Sequence, residues 1–493
     1  MGFLDVFKRQ SIPRQEKALS PNVDVKYLEK VLDAWIESPK RKEQLLAKEY
    51  YIGNHDVLKR EKKVIGADGN LVVINNVANN RLVDNQYKKL VDQKTNYCLG
   101  KPLTIATEND ECLKLYGQVF NKKVHRQLRV LAQHAVDGGI AWLYPYYNNE
   151  GEFKLAVFPS HEICPIWKDN AHTELECAMR YYSEEVYNDK GGVDTVFYVD
   201  LYTTDGISYF KYQGSSLIPC EKSHEDYLYI GKDGFNWKRL PIIPFKYNSD
   251  EIPLIRNVKS LQDQLNNTLS DFANQMEEDP RTSILVLKNY DGTNIPEFRQ
   301  NLATYGVIKV TTVDGVQGGV ETLKVEVDAA NFQAELMQLK RAIIENGRGF
   351  DAKEERMDGD PNQMNIESMY TDIDLDVNAM ETEFQAGFEE LKWFVDQYLI
   401  HQGHDDYTKT DVEFIFNRDI FINEDATINS CVQSQSILST KTILSRHPWV
   451  SNIEHEMKQL EEDKAKELEE MEEMSAFQQP KPTQPKPASN GDK

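Results

Sequence analysis

Cysteine is scarce in this 493-residue chain. The six present (Cys98, Cys112, Cys164, Cys177, Cys220 and Cys431) are scattered, with no CxxC pair. That spacing excludes a disulfide framework and reads as buried free thiols in a reducing cytosol. Long apolar runs are absent as well, and none approaches the ~18 residues of a membrane span. The start, MGFLDVFKRQ, lacks the apolar stretch of a secretion signal and the Ser or Thr at position 6 that N-myristoylation favours. Positive charge is in deficit: 57 Lys and Arg against 80 Asp and Glu leave a net charge of −23. So acidic a chain does not adhere to nucleic acid through its overall field, so any contact with DNA must be local or loose. Catalytic signatures are missing too. GKPL (100–103) and GKDG (231–234) lack P-loop spacing, and GxGxxG, HExxH and GxSxG do not occur. These absences lead us to expect a soluble protein made inside the cell, not an enzyme, with no cofactor and no bound metal.

What is present is size and pattern. A chain of this length exceeds one core, and two to four domains are expected. The first half reads as α+β. Helical spacing covers 25–51 with a break at Pro39, then 79–105, where Gly100 and Pro102 stop it, and then about 120–138. IAWLYPYY and FKLAVFP flank a turn at NNEG, and TVFYVDLYTTDGISYFKY repeats that design around DG, so both read as hairpins. The second half opens with a helix over 253–279, carrying Leu254, Val258, Leu261, Leu265, Leu269, Phe272 and Met276 on one stripe. Strand patterns with Gly-rich turns fill 281–327. A second helix follows from 328 with Phe332, Leu336, Leu339 and Ile343, then a long one over about 363–401 and a strand in DVEFIFNRDIFIN. Between Ile453 and Met474 ten acids face three lysines, and the Pro-rich tail QPKPTQPKPASNGDK is expected to be disordered.

ENGRGFDAKEERMDGDPNQMN (345–365) interrupts two strong helical patterns. In it Arg348, Lys353 and Arg356 stand against Asp351, Glu354, Glu355, Asp358 and Asp360, a net of −2. Three cations there suit transient contact with phosphate, and the acidic excess limits residence. The bland reading is that they are solvated loop charges. Two other clusters carry competing readings. HQGHDD (401–406) reads first as a solvated helix end, where histidine suits the dipole, and second as a metal cluster. EED (277–279) reads as surface charge before nuclease ligands. The aromatics of 181–212 read as sheet packing before base stacking.

Several stretches resemble one family. NNRLVDNQYKKLVDQKTNYCLGKPLTI, LYPYYNNEGEFKLAVFPSHEICPIWKDN, the helix–β–helix of 253–347 and FIFNRDIFINEDATINSCVQSQSILSTKTILSRHPWV are similar, in order and spacing, to portal proteins of siphophage-type bacteriophages, the head-to-tail connectors. The start MGFLDVFKR also looks like theirs. The resemblance implies a ring-forming α+β portal fold: a tail (1–25), a wing (26–252 with strand 411–423), stem helices (253–280 and 328–347), a clip (281–327), a tunnel loop (348–362), a long helix (363–405), a crown (425–476) and a disordered tail (477–493). It further implies a homo-oligomeric ring, usually of twelve subunits, at one capsid vertex, through which double-stranded DNA is packaged and ejected. Its partners would be the terminase packaging motor, the head-completion adaptor, and capsid and scaffolding proteins, with no membrane. Its place would be the virion, with host cytoplasm during assembly. The tunnel-loop residues expected to meet DNA are Arg348, Lys353, Glu355 and Arg356, inside an acidic lining that avoids capture. A non-DNA-binding oligomeric scaffold or adaptor is the alternative, and a metal nuclease comes last.

Overall fold

Two helices open the described chain, α1 (Val25–Ile36) and α2 (Pro39–Ile52), with the expected break between them. The Asp24 side chain accepts from the Lys26 amide to cap α1. Ser38 does the same for α2 from Arg41, and Pro39 takes the first helical position, where its missing N–H costs nothing. The computed structural model describes residues 24–65, 68–73, 77–148, 150–187, 191–230, 233–278, 284–288, 319–323, 329–351, 363–418, 424–450, 453 and 456–466. The tail before 24, most of 281–327, loop positions 352–362 and the Pro-rich C-terminus lie outside that set.

Helix α3 (Gln86–Leu99) begins seven residues later than the 79–105 pattern suggested. Residues 79–85 are not helical, and 104–106 form a short strand. Helix α4 (Asp110–Val119), which the sequence reading did not separate, precedes α5 (Lys122–Gly138). Later come α6 (Ile255–Glu278), α7 (Ala329–Asn346), α8 (Gln363–His401), α9 (Glu424–Ser434) and α10 (Thr440–Leu444).

The chain divides into two compact units, Met1–Phe350 with Asp372–Asp419, and Asp351–Thr371 with Ile420–Lys493. In the first, strands 163–167, 175–187, 193–203, 206–213 and 216–225 form a five-stranded antiparallel meander in sequence order. Period-two alternation sends Cys177 and Met179 to one face and Ala178 to the other, and both faces are covered. Leu28 and Leu32 of α1 cover the first, over Cys164, Val199 and Leu201. Ile140, Trp142 and Phe158 cover the second, and their strands (140–147 and 153–158) make the expected hairpin, with 243–246 on its other edge. Five of the six cysteines are buried, and all six are free thiols.

Helix α8 supplies a second core. Phe384 and Phe388 set their rings edge-on to Phe245 at 5.1 and 5.4 Å between centroids, and Phe388 stacks on Phe414. A strand at 413–415 pairs with 104–106, a shorter pairing than the DVEFIFNRDIFIN pattern suggested. Strands 284–288 and 319–323 pair antiparallel, in accord with β structure between α6 and α7. In the second unit, Ser439 caps α10 by accepting from the Thr442 amide.

Candidate functional site

The base of the charged loop is built from α3, α6, α7 and α8, and the construction starts on α6. Gln262, Asn266, Ser270 and Asn274 recur every fourth residue and are almost wholly buried. Each accepts from a backbone amide of the segment running into α3: Asn80 N to Asn274 Oδ1 at 2.6 Å, Leu82 N to Ser270 Oγ at 2.9 Å, Asp84 N to Asn266 Oδ1 at 2.9 Å and Gln86 N to Gln262 Oε1 at 3.0 Å. Geometry explains the match. Four helical residues rise ~6 Å, and two extended residues span ~6.6 Å, so every rung meets every second amide. Gln262 also accepts from Tyr87 N at 3.0 Å, so it assists Asn85 in capping α3. Asn266 donates to His55 Nδ1 at 2.8 Å, which leaves His55 Nε2 to donate to the Tyr50 carbonyl. Burial pushes the His55 pKa down and keeps the ring neutral.

Helix α3 then grips the loop base. Leu90, Lys94 and Tyr97 share its buried face. The Lys94 ammonium is fully buried and donates to Asp376 Oδ2 on α8 at 2.6 Å and to the Arg348 carbonyl at 3.0 Å. Burial lowers the Lys94 pKa, and the Asp376 carboxylate works against that shift. The Tyr247 hydroxyl donates to the same Asp376 oxygen. Next along α3, Gln93 clamps Phe350 both ways, donating to its carbonyl at 2.7 Å and accepting its amide at 3.3 Å. One turn on, Tyr97 OH donates to Asp374, which also receives Arg418.

The backbone of the loop base is specialised. Gly349 N reaches back to the Ile344 carbonyl at 2.8 Å and Arg348 adopts φ +48, so α7 ends in a left-handed cap. Glycine commonly takes that central position, yet here the glycines flank it. A Cβ on Gly347 or Gly349 would lie 2.5 or 2.2 Å from a Leu90 methyl. Arg348 accepts roughly 1–2 kcal/mol of left-handed strain. Its guanidinium stays mostly exposed, 3.8 Å from Asp376.

Of the loop residues singled out from sequence, Arg348 is thus placed, at the pivot. Lys353, Glu355 and Arg356 lie outside the described residues. Gln93, Lys94, Asp376 and the α6 ladder were missed. Signals existed: a lysine at apolar spacing between Leu90 and Tyr97, and three amides and a serine at strict four-residue intervals beside an apolar helical stripe. Along α7 the acids Glu335 and Glu345 are matched in number by Lys340 and Arg341. HQGHDD closes α8 through Gly403 at φ +85, with His401 against Trp237. Among the described residues no group of three or more His, Cys, Asp or Glu could hold a metal ion. Glu277 of the EED run accepts from the Asn80 side chain at 3.0 Å.

Comparison with known proteins places most of the chain in one family. The family model described as phage portal protein, SPP1 Gp6-like, matches residues 36–470. The portal protein of Bacillus phage SPP1 is 29% identical over 421 residues, 84% of this chain and 82% of that protein. The portal protein of Clostridium phage phiCD119 is 29% identical over 440 residues, 87% of this chain and 94% of that one. A solved structure described as the neck of an empty GTA particle shares 11% identity at TM-score 0.41, covering 73% of this chain and 88% of that one. The family is a structural, non-enzymatic virion component. This chain belongs to the phage portal protein family, SPP1 Gp6-like.

Proposed function

We propose that the protein assembles into a ring, of twelve copies in the virion, at one capsid vertex. Double-stranded DNA passes through its axis during packaging and ejection. Residues 26–252 with 411–423 form the wing, 253–280 and 328–347 the stem, 281–327 the clip, 348–362 the tunnel loop, 363–405 the long helix and 425–476 the crown. The clip docks the packaging motor and later the head-completion adaptor, while capsid and scaffolding proteins meet the outer surface. The observation that carries this reading is the family match across 36–470 together with a charged loop whose first residues are fixed to α3. A loop held at its base and charged beyond it can touch DNA without capturing it. Arg348, Lys353, Glu355 and Arg356 are the residues assigned to that contact.

Deleting 350–360 tests the assignment. Rings seen end-on by electron microscopy should persist while DNA packaging or retention fails. Normal packaging by the deletion variant would refute the loop's role, and a globular monomer or elongated dimer in the unaltered protein would refute the ring.

A further inference from the structure

Helix α5 carries an unusual surface for so acidic a chain. Lys122, Arg126 and Arg129 fall at i, i+4 and i+7 on its exposed face, opposite Leu128, Leu131 and Ala135 in the core. Lys122 and Arg126 have no carboxylate partner among the described residues, and Arg129 donates to the Asn96 side chain of α3. Asn96 stands one turn along α3 from Gln93, the residue that clamps Phe350. Arg129 thus ties one end of the stripe to α3 one turn, ~4.5 Å of rise, from the residue that holds the loop base, and the stripe spans ~10.5 Å of α5. Two more exposed lysines of α3 extend it, Lys88 over the Tyr51 ring at 4.4 Å and Lys89 beside it. Asp92, on the same helix as these lysines, accepts from the Tyr51 hydroxyl.

We propose that the Lys122–Arg126–Arg129 stripe is a second binding site for the phosphate backbone of double-stranded DNA, beside the loop. The inference rests on the reading of the protein as a DNA channel. Three facts favour DNA over a protein partner. The loop's net charge is −2, so it supplies no cationic excess of its own. The stripe adjoins the loop base. Its three exposed cations stand on one face over ~10.5 Å of helix, so each can take a phosphate of the backbone. Phosphate contact of this kind positions DNA without reading its sequence.

The test is binding of a blunt 30-base-pair DNA duplex to assembled protein across a salt series, for the unaltered chain and for K122Q/R126Q/R129Q. All three side chains are exposed, so the variant should fold and give an unchanged circular dichroism spectrum. Loss of three phosphate contacts should flatten the slope of log affinity against log salt by about 2.7, with rings intact by end-on microscopy. An unchanged slope overturns the proposal. So does loss of rings in the variant, which would assign the stripe to the contact between copies. Duplex binding too weak to measure at low salt in the unaltered protein overturns it too. Failure here leaves the loop-deletion result untouched, because that experiment reads packaging and this one reads equilibrium binding.

Discussion

Replacing Lys94 by methionine isolates what holds the loop base. Methionine fills the same volume but removes one ion pair and one charged hydrogen bond, to Asp376 and to the Arg348 carbonyl. Breaking a buried pair costs ~3–5 kcal/mol, and the Tyr247 hydroxyl, which remains on Asp376, argues for the lower end. The bond to Arg348 acts locally. A charged hydrogen bond contributes ~1.5–3 kcal/mol, so the opening constant of residues 347–350 should rise roughly 10- to 150-fold. Hydrogen exchange read on a peptide covering 343–350 measures that opening, with a peptide from the 193–203 strand as internal control. K94M/D376N should recover much of the global stability, because no unpaired charge is left buried, yet it should leave 347–350 as unprotected as in K94M. Loss of stability with unchanged exchange at 347–350 would mean that Lys94 is only a core residue, and the anchor argument would fall.

Other expectations concern the ladder and pH. Asn266→Leu strands the Asp84 amide, His55 Nδ1 and Gln262 together, and should lower unfolding stability by at least ~3 kcal/mol in urea titrations. Asn266→Asp keeps the acceptor for Asp84 but loses the donor to His55, so its penalty should be smaller at pH 5, where His55 beside the new carboxylate can protonate and donate instead, than at pH 8. A penalty independent of pH would refute that pairing. His161 is held down to about 3 by burial, then by Lys48, Arg41 and His134. A pKa below the unfolded value near 6.5 gives stability that is present above that pH and lost as pH falls, by up to ~1.4 kcal/mol per unit. His161→Gln should therefore reduce the fall in urea midpoint between pH 7 and 4.5, and an equal fall in both proteins would contradict the assignment.

The sequence was most legible where the signal is local. Pro39 between two apolar stripes located the α1–α2 break, the seven-member stripe from Leu254 to Met276 located α6, and alternation around NNEG and DG located both hairpins. The segment 79–85 was misread because NNRLVDN carries a helix-like prelude to α3, while its real hydrogen-bond partners sit on a helix some 180 residues later. No local periodicity can report that. Lys94 was invisible for a related reason: a lysine at an apolar position acquires meaning only once Asp376 and the Arg348 carbonyl arrive from elsewhere. Arg348 was singled out for its charge, and its placement adds a second reason, the left-handed turn it occupies.

The ladder on α6 has a consequence for how this contact can drift. Its four side chains recognise main-chain amides, which every residue but proline presents alike. Apart from Asn85, whose side chain caps α3, the segment from Asn80 to Gln86 could change side chains and keep these four bonds, provided no proline entered at 80, 82, 84 or 86. The helix has less freedom, since a leucine at any rung removes the buried acceptor of a part-buried amide. The specification of these four bonds is thus stored on α6, and substitutions at 80, 82, 84 and 86 should be tolerated better than those at the rungs.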